Sequence, residues 1–192
     1  MKIKLTSVSI ADYDKAEADF QKAYELDPNQ SLSIAAQGLV AMQQNDLAGA
    51  LKTIEEKLAR KPGDAVLLYL KADILTQQGA EAGSPEFQTA LRAAKKSVEL
   101  NPALAAAHAV SAKLYLQAGQ YPHAIIECRK ALELNPKDQT SIYRLIQALR
   151  KTGQTREVPD LLKRLTQLRE QATKDERDRY RYKLVEGIPS VP

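Results

Sequence analysis

The 192-residue sequence has one cysteine, two histidines and no tryptophan. Cys128 therefore has no partner for an intramolecular disulfide and cannot hold a zinc ion alone. The longest apolar runs, such as residues 65–70, fall far below the roughly 18 residues that a membrane helix needs. Residues 1–10 lack a sustained apolar stretch and a small-residue cleavage site, so they do not predict a signal peptide. We expect a soluble chain. The cytoplasm is favoured, and the periplasm stays open if a signal sequence has been removed.

The motifs of common enzyme classes are also missing. The sequence has no glycine-rich phosphate loop, no dinucleotide fingerprint, no His-Glu-x-x-His and no paired cysteines. His108 and His123 fall near the starts of predicted helices, where we expect solvated or interhelical residues. We therefore predict no catalytic residue, no cofactor and no metal, and a chain that is not an enzyme.

Proline, by contrast, recurs at a nearly constant interval. Pro28, Pro62, Pro102 and Pro136 are separated by 34, 40 and 34 residues. An alanine lies twelve residues before each proline, and the position eight residues before it holds Phe20, Ile54, Ala94 and Cys128 in turn. Because these positions share one stripe of a helix, they predict a closely packed helix that ends at the proline. Cys128 is accordingly predicted to be a core residue, not a metal ligand or a nucleophile.

A second helical pattern precedes each of these helices, with a small residue in the middle: Gly38, Ala72 and Ala112. In the fourth unit this helix is predicted to stop at Gly119, with Pro122 in the first turn of the next helix. Each unit is thus a helical hairpin. The 34-residue period, together with Gly38, Tyr115, Tyr121, Ala124, Ala131 and Pro136, resembles the tetratricopeptide repeat (TPR) family.

This resemblance implies an all-α protein, a right-handed α-solenoid of about four and a half helix-turn-helix repeats plus a C-terminal capping helix. We expect residues 1–192 to form a single TPR domain. Its predicted parts are an incomplete first repeat (1–30), a repeat (31–64), a repeat with an insertion (65–104), a repeat (105–138), a divergent repeat (139–170), and a capping helix and tail (171–192).

The two ends and the insertion depart from the repeat. Residues 1–10 make a poor first helix, which leaves Phe20 and Tyr24 without their usual cover. The irregular segment itself, a second copy of the chain or the rest of a longer protein could provide it. In the insertion, Ser84 is predicted to cap the following helix. Pro159 should lie in the first turn of the last repeat's second helix, and residues 173–185 are predicted to form a charged final helix.

By the same resemblance, the first helix of each repeat lines a concave groove. We predict peptide-binding residues at Leu39, Met42, Tyr69, Asp73, Lys113, Leu116, Tyr143, Gln147 and Arg150, within a wall that also includes Leu32, Ala35, Val66, Thr76, Ala106, Ala109 and Thr140. Tyr69 and Tyr143 are the predicted anchors, and partial burial between adjacent first helices is the alternative for both. Some TPR proteins bind a C-terminal carboxylate with a set of Lys, Asn and Arg residues, and that set is missing here. Ala35, Ala36 and Leu39 occupy positions where it needs Lys or Asn, which would leave Lys113 and Arg144 or Arg150 as isolated cations.

Charge is concentrated at the C-terminal end. Residues 144–192 carry 12 basic and 7 acidic side chains, against 16 and 17 in residues 1–143. Nucleic-acid binding is the weaker hypothesis here, because Asp175, Glu176 and Asp178 can pair with the neighbouring arginines. The leading hypothesis is a scaffold that binds a partner peptide or helix in its groove, with no membrane insertion. The alternative is an assembly module or a fragment of a larger TPR protein, which forms a homodimer through its incomplete first repeat.

Overall fold

A computed structural model describes residues 46–186 of the chain, and the side chains of residues 46–177. This part is helical and contains no strand. Its helices are α1 (Leu47–Arg60), α2 (Ala65–Gln77), α3 (Pro85–Leu100), α4 (Ala105–Gln117), α5 (Tyr121–Leu134), α6 (Gln139–Lys151) and α7 (Val158–Glu186). A short 3-10 turn, Thr155–Glu157, precedes α7. The predicted all-α class is confirmed.

The recurring prolines end α1, α3 and α5 as predicted. The residue before each proline has left the helical conformation, with φ of −133° at Lys61, −140° at Asn101 and −131° at Asn135. Proline forces this change because its ring clashes with an αR residue in front of it. The recurring proline therefore ends each of these three hairpins with the same sharp turn.

Polar caps and special backbone conformations begin and end the other helices. Ser84 Oγ accepts a hydrogen bond of 3.1 Å from the Phe87 N–H, so the predicted cap in the insertion is confirmed. Pro159 lies in the first turn of α7, as predicted. Gly119 has a φ of 70° and ends the turn that follows α4. These short-range signals set the helix lengths before any packing is considered.

Successive helices pack as hairpins, and α2, α4 and α6 also form a row. In this row α2 contacts α4 and α4 contacts α6, whereas α3, α5 and α7 have no comparable mutual contact among the described residues. A stack that is closer on one side curves toward that side. The row of α2, α4 and α6 is therefore the inner side of the solenoid, with fully buried residues such as Ile54, Leu114 and Leu149 beneath it.

The C-terminal end differs from the prediction. We expected a separate charged helix over residues 173–185, but α7 runs unbroken for 29 residues from Val158 to Glu186. After Pro159 this segment contains no proline and no glycine, so nothing interrupts its hydrogen-bond ladder. Side chains from Arg169 to Arg177 are all exposed, which shows that the helix continues beyond the packed stack.

The expected incomplete first repeat, with Phe20 and Tyr24, lies outside the described residues. Across residues 46–186, none of the helices combines the length and the apolar character that crossing a membrane requires.

Candidate functional site

Seven of the predicted peptide-binding residues lie on the row of α2, α4 and α6, which we call the inner wall. They are Tyr69 and Asp73 on α2, Lys113 and Leu116 on α4, and Tyr143, Gln147 and Arg150 on α6. Tyr143 and Arg150 are exposed, and the other five are half-buried. Leu39 and Met42, with Leu32 and Ala35, fall outside the described residues.

Polar contacts tie the three helices of the inner wall together. Lys113 Nζ donates a hydrogen bond of 2.7 Å to Thr76 Oγ1, which joins α4 to α2. Arg144 Nη1 donates one of 3.2 Å to the carbonyl oxygen of Ala109, which joins α6 to α4. We expected Lys113 and Arg144 to be isolated cations, and this prediction was wrong, because each is hydrogen-bonded to a neighbouring helix. Thr76 is also not a surface residue of the wall, because it is buried beneath Lys113.

Burial and the charge of Asp73 both act on the ionisable groups of this wall. Burial raises the pKa of Tyr69 to about 12, and the negative charge of Asp73 adds to the rise. Burial lowers the pKa of Lys113, while Asp73 opposes that effect and Arg144 reinforces it. Burial also lowers the pKa of Arg144, while Cys128, Asp138 and Asp73 favour its charged form. Asp73 thus acts on cations of two neighbouring helices, Lys113 on α4 and Arg144 on α6.

The two predicted anchors differ in their accessibility. Tyr143 is 49% exposed, so about half of its surface is available for contact. Tyr69 packs against the core cluster of α1 and α2 and is half-buried. Tyr69 is therefore partly covered by the core, whereas Tyr143 is the more accessible of the two rings.

Arg144 also lies on the wall, although the sequence predicted it only as an isolated cation. In the repeat alignment it falls in the column of Leu70 and Val110, both of which are buried. An arginine in a buried aliphatic column is a signal of a special role, and here its role is the hydrogen bond to α4. That signal was present in the sequence.

The cysteine and the histidines form no reactive cluster. Cys128 is fully buried, as predicted, and burial raises the pKa of its thiol to about 12. His108 is buried between Glu127 and the Pro102 carbonyl oxygen, and the exposed His123 stacks on Tyr115 with ring centroids 5.1 Å apart. Within residues 46–177 no group of acidic, histidine or cysteine side chains could hold a metal ion.

Solved structures of TPR proteins share this fold. A thermophilic TPR protein from Thermus thermophilus superposes with a TM-score of 0.67 at 20% identity, over 94% of each chain. MamA does so with a TM-score of 0.62 at 20% identity, over 91% of this chain and 98% of its own. A tetratricopeptide repeat protein from Parabacteroides merdae gives 0.57 at 22% identity, over 82% of this chain and 60% of its own. The predicted TPR solenoid is confirmed.

Comparison with curated proteins finds no match. Among protein families, a model described as ChAPs (Chs5p-Arf1p-binding proteins) matches residues 3–186, which is nearly the whole sequence. A helical-repeat chain matched over that length is a member of the matching family. The chain therefore belongs to the ChAPs family and has the TPR fold.

Proposed function

We propose that this protein is a non-enzymatic scaffold that binds a segment of a partner protein along its inner wall. The observation that carries the proposal is the exposed Tyr143 beside a cationic network that spans three adjacent helices. Members of the ChAPs family are described by the proteins they bind, Chs5p and Arf1p, which favours a protein partner here as well.

The wall suits an extended or helical peptide because its contacts are already ordered. Lys113 and Arg144 are held by hydrogen bonds to the neighbouring helices, so binding need not immobilise them anew. A preorganised surface loses less side-chain entropy when a ligand arrives. On α6, Tyr143, Gln147 and Arg150 offer the partner an aromatic ring, an amide and an exposed guanidinium group.

Tyrosine substitution tests the wall directly. Peptides from proteins that co-purify with the chain are titrated by fluorescence against the wild type and the Tyr69→Ala/Tyr143→Ala double variant. We expect affinity to fall by about tenfold or more, because truncating a buried aromatic anchor typically costs about 2 kcal/mol. Tyr143→Ala alone should give part of this loss without unfolding the chain, because the side chain is half exposed.

The matched control is Ile126→Ala on α5. Ile126 is 57% exposed, comparable to Tyr143, but lies on a second helix away from the inner wall. This control should bind like the wild type. Equal affinities for the wild type and the double tyrosine variant would refute binding along the inner wall.

A further inference from the structure

A second surface emerges when the contacts between repeats are compared on the side of the stack formed by α1, α3, α5 and α7. At each junction a first helix lies beneath the second helices on either side of it. The repeat spacing makes Leu68, His108 and Ile142 equivalent on the first helices, and Ala93, Glu127 and Leu161 equivalent on the second helices. The same two positions can therefore be compared at three successive junctions.

The later two junctions are filled by these side chains. At α4 and α5, His108 Nδ1 lies 2.6 Å from Glu127 Oε2, and His108 Nε2 lies 3.0 Å from the Pro102 carbonyl oxygen. At α6 and α7, Ile142 and Leu161 both belong to one buried cluster. In both places a large side chain from the second helix reaches across the space.

The first junction is left open. Ala93 contributes only a methyl group where the other junctions have a glutamate and a leucine. A cavity of about 360 Å³ remains, with Leu58, Pro62, Leu68 and Ala93 as its apolar lining. That volume is at the lower end of the range of ligand pockets. We call this cavity the α2–α3 pocket.

The rim of the α2–α3 pocket is cationic. Lys71, Arg92 and Lys96 line it together with Thr89, and its described lining includes no carboxylate. Arg92 donates a hydrogen bond to Thr89 Oγ1 and has no ion-pair partner among the described residues. Lys96 pairs at 3.1 Å with Glu99, and both of these side chains are more than half exposed. Lys71 pairs at 2.8 Å with Glu55, and its own side chain is only 21% exposed. An exposed ion pair such as Lys96–Glu99 contributes little to stability, so Lys96 can pair with a carboxylate of a partner instead.

We propose that the α2–α3 pocket is a docking site for a partner-protein segment in which a large apolar side chain is flanked by carboxylates. The apolar side chain would occupy the space that Glu127 and Leu161 fill at the other junctions, and the carboxylates would pair with Arg92 and Lys96. This site goes beyond the inner wall, because none of the seven peptide-binding residues placed on the wall lines it.

The test uses the full chain and a fluorescein-labelled helical peptide in which two leucines are flanked by glutamates, followed by fluorescence anisotropy. Lys96→Glu is compared with Lys130→Glu, its equivalent one repeat later. Both lysines are exposed and both pair with a glutamate three residues on, Glu99 and Glu133, at 3.1 and 2.7 Å. The two variants therefore make the same change in net charge in the same local setting.

We expect saturable binding by the wild type, a loss of about fivefold in Lys96→Glu and a change of less than about twofold in Lys130→Glu, because only Lys96 lines the pocket. Ala93→Leu, which copies the residue of the third junction, should abolish binding while circular dichroism shows an intact fold. Tyr143→Ala should bind the peptide normally, so that failure of this pocket and failure of the inner wall are distinguishable.

Other outcomes would overturn the assignment. These are no saturable binding, equal losses in the two lysine variants, unchanged affinity in Ala93→Leu, or equal binding of a peptide with lysines in place of the glutamates. Binding of dodecanoate without binding of the peptide would assign the pocket to a free amphiphile and refute a protein partner.

Discussion

At the scale of single residues, the positions that break the repeat pattern carry most of the specific chemistry. Arg144 replaces a buried aliphatic residue and joins two helices of the inner wall. His108 and Glu127 replace apolar positions with a hydrogen-bonded pair. Polar groups can occupy such positions because each finds a partner across the helix interface, which offsets the cost of burial.

Cys128 allows a prediction about reactivity, because it is the one cysteine of the chain. Burial raises the pKa of its thiol from 9.0 to about 12, so the folded chain contains about a thousandfold less thiolate at neutral pH than the unfolded chain. We expect slow reaction with a disulfide reagent in native buffer and rapid, stoichiometric reaction in denaturant. Cys128→Ser gives the background absorbance, and rapid labelling of the native chain would contradict the buried position.

The same pKa shift predicts the direction of a pH effect. A thiol whose pKa is higher in the folded state favours folding while it is protonated, so its contribution is complete below about pH 9 and is lost between about pH 9 and 12. In denaturant titrations, stability of the wild type should therefore fall more steeply over this interval than stability of Cys128→Ala. Parallel curves would argue against the shifted thiol.

At the scale of helices, local signals dominate the boundaries. Proline ends α1, α3 and α5, and Gly119 ends the turn after α4 with a φ of 70° that an L side chain rarely adopts. α7 is the exception in length, because it lacks an internal stop signal. The same rules that predict short hairpins therefore also account for one helix that continues past the stack.

Gly119→Ala tests this reasoning at one turn. No heavy atom lies within 4 Å of the added Cβ, so the cost comes from backbone strain alone, about 1–2 kcal/mol of unfolding free energy. Urea unfolding followed by circular dichroism measures it. Gly63→Ala is the matched control, since Gly63 has equal space and no positive φ, and it should leave stability within about 0.5 kcal/mol of the wild type. Similar losses in both variants would contradict strain at Gly119.

At the scale of the whole molecule, contacts are confined to neighbours along the stack. α1 packs on α2, and α7 packs on α6, with no comparable contact between these two pairs among the described residues. In repeat proteins of this kind, the stability of each repeat depends on its own contacts and on its interfaces with the adjacent repeats.

Hydrogen exchange should reveal that locality. Ile54→Ala removes a fully buried side chain of α1 and should accelerate amide exchange in α1 and α2, with little change in α6. Leu149→Ala, equally buried in α6, should give the reciprocal pattern. Mass spectrometry of peptic fragments resolves the two regions, and uniform acceleration across the chain would show instead that it unfolds as one cooperative unit.

The repeat, its hairpins and the burial of Cys128 could all be predicted from the sequence, because prolines, caps and helical periodicity act within a few residues. The sequence did not predict one continuous α7, because the composition becomes highly charged after residue 170 and this change indicated the start of a separate helix. No residue near that position stops a helix, however. The burial of Thr76 was missed because it depends on where the Lys113 side chain of the next repeat lies.

The sequence by itself determined which segments are helical, where they turn and that they repeat, since these are short-range consequences of residue type. Only the tertiary structure decided that Arg144 bonds to α4, and that a pocket lies beside Ala93 whereas Glu127 and Leu161 fill the equivalent space in the later repeats. Those features depend on side chains about 30 residues apart meeting across an interface, and no local pattern encodes which of them will meet.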